Sequence, residues 1–291
     1  MVYRTSVMNI TKIKAIIQLI RVDLSFAAGI CVVIGEIVAF GGFPSIYSIM
    51  FGFIVGFFVS TSALILNDYF DIEIDKINMP KRPLPSGMIK SYEVVLLSVI
   101  TTFIGLVSAF LISYTALIVA AVFWIIGFLY NWKFKRTGLP GNLMVSSSVA
   151  VTFILGGIAV GKPWSPVVWC FSLIAFFVDL GEEIASDAMD MAGDAKINSR
   201  SIALSRGKDT ALKSAGVSFA AVVFVSFIPV IFGWLGIVYL VMILFMDSLI
   251  IFSTYKLLKS QTLEEGRYYA RMLYLGATVG LVGFIIGQVL V

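Results

Sequence analysis

The sequence predicts an all-helical bundle that crosses a membrane nine times, and three observations carry that expectation. Its mean hydropathy of +1.01, with 59% hydrophobic and only 13% charged residues, lies outside the range of soluble domains. Apolar runs long enough to cross a bilayer's hydrocarbon core recur from one end to the other. The few charges are sorted, with basic residues gathered in alternate connections.

Taken in order, the first span covers 15–39 and carries Arg21 and Asp23 in its opening turns. FGGFPS (Phe40 to Ser45) breaks it from a second span at 44–66. A long polar stretch follows, then spans at 92–112 and 115–131, divided only by the short ISYT turn at Ile112 to Thr115. The fifth and sixth, 142–160 and 166–185, are joined by GKPWSP. The last three are 210–232, 234–256 and 269–290.

With the amino terminus placed inside, the inside segments hold Arg4, Lys12, Lys14 and Arg21, then Lys76, Lys81, Arg82 and Lys90. Lys133, Lys135 and Arg136 come next, then Lys196, Arg200, Arg206, Lys208 and Lys213, and finally Lys256, Lys259, Arg267 and Arg271. Only Lys162 of the 21 basic residues falls outside. This bias predicts a multi-pass cell-membrane protein with a cytoplasmic amino terminus and an outside carboxyl terminus. The first apolar run lacks a small-residue cleavage pattern, so no cleaved signal peptide is expected. Cys31 and Cys170 both lie in apolar spans and imply no disulfide framework. The net charge of +4 reflects inside loops near an anionic leaflet, not a nucleic-acid partner. No obligatory protein partner is evident, and residues 1–291 read as one domain.

An acidic pattern occurs twice. Asp68, Asp71 and Asp75 sit in NDYFDIEID, and Asp187, Asp190 and Asp194 in SDAMDMAGD, both spaced i, i+3, i+7. On a helix that spacing sets three carboxylates along one face. Six such groups repel one another unless cations stand between them, which points to paired Mg²⁺ sites facing a polyanion such as a diphosphate. The chain has no histidine, so zinc chemistry and imidazole catalysis are disfavoured and oxygen-bound Mg²⁺ or Mn²⁺ is expected. The bland reading is that these are solvated loop acids paired with nearby Lys and Arg. Two clusters of identical spacing on the same expected side argue against it. The motifs follow spans two and six, which suggests two related four-span units and a ninth helix. Asn67 either completes a metal shell or caps a helix. Glu73 falls off the acidic face and is expected to be structural or to pair with a nearby cation.

NDYFDIEIDKINMPKRPLPSG and EIASDAMDMAGDAKINSRSIA resemble the two signature regions of the UbiA superfamily of intramembrane prenyltransferases. The resemblance covers essentially the whole chain. It implies a nine-helix bundle around a polar cavity open to the cytoplasm, with the six aspartates holding about two Mg²⁺ ions. Within the family the motifs look most like the members that build archaeal ether lipids. Those members transfer a geranylgeranyl group from geranylgeranyl diphosphate to the hydroxyl of geranylgeranylglyceryl phosphate. Arg82 of RPLP, and Lys135 and Arg136 of WKFKRTG, match positions the family uses near the diphosphate or the acceptor.

Arg200 and Lys208 have a similar case, Lys81 a weaker one, and each of these cations has headgroup anchoring as its bland alternative. Arg21, at membrane depth, is a candidate for the acceptor phosphate, with snorkelling to the interface as its alternative. Asn142 binds a polar headgroup or caps its helix. Glu183, four residues before Asp187, extends the second acidic face and is a candidate to tune the metal site or to accept the proton of the attacking hydroxyl. Asp179 and Glu182 are unusual neighbours of that motif, and Asp247 lies deep in span eight with its role open. The close rival is a prenyltransferase of the same family acting on an aromatic acceptor, 4-hydroxybenzoate or a quinone precursor. A phospholipid head-group transferase is a further rival, but its single extended acidic motif is not found here. A transporter would place its charges at mid-membrane, not at one face.

Overall fold

The computed structural model describes residues 12–196 and 198–290, without the side chains of Asn78, Lys196, residues 278–279 and 282–290. Arg4 of the charge pattern lies outside the described residues. The described chain is helical almost throughout. Helix α1 occupies residues 12–20, followed by α2 (Val22–Phe40), α3 (Ile46–Phe70), α4 (Ile72–Asn78), α5 (Ser91–Ile112) and α6 (Tyr114–Trp132). After a 3₁₀ turn at Phe134–Arg136 come α7 (Leu139–Ala159), α8 (Pro166–Met189), α9 (Met191–Lys196) and α10 (Ile202–Arg206). The chain closes with α11 (Lys208–Ile231), α12 (Ile237–Leu258) and α13 (Leu263–Leu290). In hydrocarbon a helix satisfies every backbone group within the segment, which is why apolar runs of this length fold this way.

The ends follow local chemistry. Gly41, at φ 80°, ends α2, and Ser45 caps α3 by accepting from the Ser48 amide. Ser113, extended at φ −170°, separates α5 from α6, so the ISYT break is real. Pro166 opens α8 at a position where a missing N–H costs nothing.

The structure alters one expectation here. Span one is not continuous: Arg21 adopts a left-handed turn, φ 45° and ψ 65°, between α1 and α2. A non-glycine residue held there is costly, and what holds it is described below. Among the described residues, seven helices are long and apolar enough to cross a membrane. Among the remaining long helices, α8 has 24 residues but carries Asp179, Glu182, Glu183 and Asp187, and α13 has 28.

The chain divides into two compact units: residues up to Trp132 with Leu155–Lys162, and Lys133–Ile154 with Pro163 onward. In the first, α3 packs against α2, α5 and α6. Small residues allow the approach, since a Cβ on Gly56 would lie 2.7 Å from the Ala28 carbonyl oxygen. Buried hydroxyls tie the helices together. Ser62 Oγ lies 3.1 Å from Ser98 Oγ and 2.6 Å from Thr102 Oγ1, and it accepts from Trp124 Nε1 at 3.0 Å. Leu84 of the RPLPSG segment and Ile89 just after it are buried with Ala15, Leu19, Ile65 and Val94, which fixes that loop against α1 and α3.

In the second unit α8 packs on α11 and α13, and α12 on α11 and α13. Its core holds Ile184, Met189, Phe219, Ile250, Leu257 and Leu273. Both units also present large apolar side chains outward, among them Phe103, Leu111 and Ile118 in the first and Val217, Phe224 and Val241 in the second. Such a surface belongs in lipid.

Candidate metal centres

The first motif does not lie along one helix. α3 ends at Phe70, Asp71 is its C-cap at φ −89° and ψ 2°, and α4 starts at Ile72. Backbone bonds from Asp71 N to Asn67 O (3.0 Å) and Asp75 N to Asp71 O (2.8 Å) carry the chain round the step. Asp68 and Asp75, 3% and 5% exposed, still converge, because one guanidinium meets both. Arg82 Nη1 donates to Asp75 Oδ2 at 2.7 Å and lies 3.5 Å from Asp68 Oδ1. Arg21 Nη2 donates to the same Asp68 oxygen at 2.6 Å. This charge-assisted bond is what holds the left-handed turn at Arg21.

Around this pair lies a cavity of about 450 Å³ lined by Gln18, Arg21, Asp68, Lys81, Arg82 and the Met79–Pro83 backbone turn. The prolines there fix φ and so fix where the two cations of the segment sit. Asn67 lies inside α3, so it is not a helix cap; its Nδ2 donates to Asn131 Oδ1 at 3.0 Å. Glu73 pairs with Lys76 at 2.6 Å on the exposed side, as expected for a residue off the acidic face.

The second motif repeats the break. α8 ends at Met189, Asp190 is its C-cap at φ −110° and ψ 14°, and Asp194 rides on α9. Asp187 Oδ2 accepts from Asn142 Nδ2 at 3.0 Å. Asn142 lies inside α7 and is not a helix cap; one N–H of its amide is engaged by this motif. Asp190 is exposed and accepts from Arg267 Nη2 at 2.5 Å. Asp194 Oδ2 is buried without a hydrogen-bond partner. Burial, then the charges of Asp187 and Asp190, push the Asp194 carboxyl up to about 6, with Lys135 opposing the rise.

Glu183 stands one turn before Asp187 on α8. Lys135 and Arg136 occupy the 3₁₀ turn, and Arg200 N donates to Arg136 O at 3.0 Å, which joins the two basic loops through their backbones. Gly138 seals that junction: it sits at φ +72°, and a Cβ there would lie 2.2 Å from the Arg200 carbonyl oxygen. Lys208 opens α11. Among the described residues, Arg136, Arg200 and Lys208 make no ion pair.

Among the described residues no three acidic side chains already surround one ion position. The donors nonetheless fit a hard divalent cation. They are carboxylate oxygens, Arg82 stands where a cation between Asp68 and Asp75 would, and Asp194 offers an orphaned oxygen. Sequence reasoning missed Arg267, Asn131 and Gln18 as neighbours of these motifs. Asn131 carried a signal, as a polar residue ending an apolar helix. Arg267 carried none, because its partner lies 77 residues away.

Fold and site together define a multi-pass helical membrane protein that carries two broken acidic helix ends, each met by arginine. The UbiA prenyltransferase family matches residues 28–285, and the chain belongs to that family; it is a prenyltransferase. It is 33% identical over 94% of its length, and 98% of the relative's, to a digeranylgeranylglyceryl phosphate synthase of Thermococcus kodakarensis. A solved structure concerning digeranylgeranylglyceryl phosphate synthase in membranes matches 96% of this chain and 99% of its own, with TM-score 0.82 and 34% identity. A UbiA homolog from Archaeoglobus fulgidus, solved with GPP and Mg²⁺, shares the fold at TM-score 0.67 and 18% identity, covering 92% of this chain and 98% of its own.

Proposed function

We propose that the chain transfers the geranylgeranyl group of geranylgeranyl diphosphate to the free hydroxyl of geranylgeranylglyceryl phosphate, forming the second ether bond of archaeal membrane lipids. The observation that carries this reading is the likeness to digeranylgeranylglyceryl phosphate synthases along nearly the full length of both chains. In the reaction the bond between C1 of the prenyl group and the diphosphate oxygen breaks. The acceptor oxygen bonds to C1 and gives up its proton, and pyrophosphate is the second product.

Asp68, Asp71 and Asp75, and Asp187, Asp190 and Asp194, hold the divalent ions, two Mg²⁺ or in their place Mn²⁺. When bound, the metal neutralises the diphosphate and makes it a good leaving group. Asn142 orients Asp187, and Asn67 completes the metal shell of the first motif. Arg82, Lys135, Arg136, Arg200 and Lys208 take up negative charge as it develops on the leaving group. The cavity with Arg21 and Lys81 suits the acceptor's phosphate, and Glu183 receives the hydroxyl proton. The chain acts as one domain of nine spans, with α8 and α13 completing the count. The amino terminus and both motif loops face the cytoplasm, and the carboxyl terminus lies outside.

The test is prenyl transfer by the purified protein in detergent with Mg²⁺, labelled geranylgeranyl diphosphate, and geranylgeranylglyceryl phosphate competing with 4-hydroxybenzoate. Label in the doubly alkylated glyceryl phosphate is expected. Label only in the aromatic product would keep the chemistry and overturn the acceptor.

A further inference from the structure

Beside the second motif, α7 and α8 are joined by buried polar groups that the scheme above does not use. Ser146 of α7 is fully buried, and its hydroxyl oxygen lies 2.8 Å from the Asn142 carbonyl oxygen and 2.9 Å from Asp179 Oδ2. From the same residue, the Asn142 side chain reaches Asp187 Oδ2 at 3.0 Å. A serine hydroxyl has one proton, so it can donate in only one of these two contacts, and the carbonyl four residues back, the shorter of the two, is the usual taker within a helix. The carbonyl can only accept.

An ionised Asp179 would then face the lone pairs of Ser146 with no proton between two oxygens 2.9 Å apart. Asp179 is only 8% exposed, so water offers little relief, and Glu182 and Glu183 on its own helix offer no compensating positive charge. The proton inventory balances when Asp179 carries the proton and donates it to Ser146 Oγ. The same device recurs away from both motifs. Ser226 Oγ lies 2.8 Å from the Val223 carbonyl oxygen and 2.8 Å from Asp247 Oδ2, and Asp247 is 3% exposed.

We propose that Asp179 is a neutral positioning residue for the second motif. Its carboxyl proton anchors Ser146, Ser146 anchors the α7 main chain at Asn142, and the Asn142 amide then sets the orientation of Asp187. The inference rests on the reading of Asp187 as a Mg²⁺ ligand.

The test uses the full chain in detergent, with Mg²⁺ affinity measured by calorimetry and the carboxyl state by infrared difference spectra at neutral pH. Asp179→Asn keeps a donor toward Ser146 without a charge, so it should bind Mg²⁺ within about threefold of wild type. Asp179→Ala should lose roughly ten- to a hundredfold, as expected for removing a partner that orients a ligand. The wild-type minus Asp179→Asn spectrum should show the carbonyl stretch of a protonated acid. The proposal fails if Asp179→Asn is as damaging as Asp179→Ala, or if that spectrum shows only a carboxylate band. Should Asp179→Ala not fold, the asparagine variant and the spectrum still decide. Unchanged Mg²⁺ binding by Asp187→Ala would overturn the metal reading instead, and the spectrum would judge Asp179 separately.

Discussion

Asp68 and Asp75 are packed against two guanidiniums of their own unit, whereas the second motif grades from an amide partner through an exposed arginine to a buried oxygen with no partner. The spacing of the two motifs is the same, and so is the helix break at the middle aspartate. What differs is the source of neutralising charge. The first motif has built-in cations beside both buried carboxylates. The second leaves an oxygen of Asp194 without a partner. Identical spacing in sequence therefore does not make identical sites.

The comparison can be broken most decisively at the carboxylates themselves. Asp75→Ala and Asp187→Ala should each lower turnover about a thousandfold, the worth of several kcal/mol of charge stabilisation, in a single-turnover assay. The arginines should then separate the motifs. Arg82→Ala leaves two buried carboxylates short of their partner and should lower unfolding stability in metal-free buffer by about 3 kcal/mol. Asn142→Ala should weaken Mg²⁺ binding roughly ten- to a hundredfold while leaving the first motif's response to Arg82→Ala unchanged.

The pH dependence sharpens the contrast further. Asp194, with its carboxyl pushed up to about 6, binds a proton in the folded metal-free protein where an unfolded aspartate would not. Its contribution to stability is thus present at low pH and lost as pH rises through about 6. Metal must displace that proton, so Mg²⁺ affinity should fall about tenfold per pH unit below about 6, and Asp194→Asn should flatten the profile. Arg267→Ala should be mildest, under about 1 kcal/mol in thermal unfolding, since Arg267 and Asp190 are 51% and 56% exposed.

Much of the fold was readable because hydrocarbon forces apolar runs into helices and because breaks such as FGGFPS and ISYT lie where the chain has caps to offer. The acidic residues were readable for the opposite reason: charges in so apolar a chain need a cause. The turn at Arg21 was not readable, because it is held by Asp68, 47 residues away, and not by its neighbours. The breaks at Asp71 and Asp190 were hidden because backbone bonding continues across each step, so no glycine or proline marks them. α8 is hard to count as a span from composition because its acidic side chains find polar partners inside the protein: Asp179 meets Ser146, Glu182 meets Ser186 and Asp187 meets Asn142.

The most direct measurement is Mg²⁺ binding by calorimetry to wild type, Asp75→Ala and Asp187→Ala, with and without geranylgeranyl diphosphate. Without the diphosphate Asp187→Ala should show the larger loss, and with it both variants should bind weakly. Wild-type binding by both variants under both conditions would contradict a metal role for the two motifs.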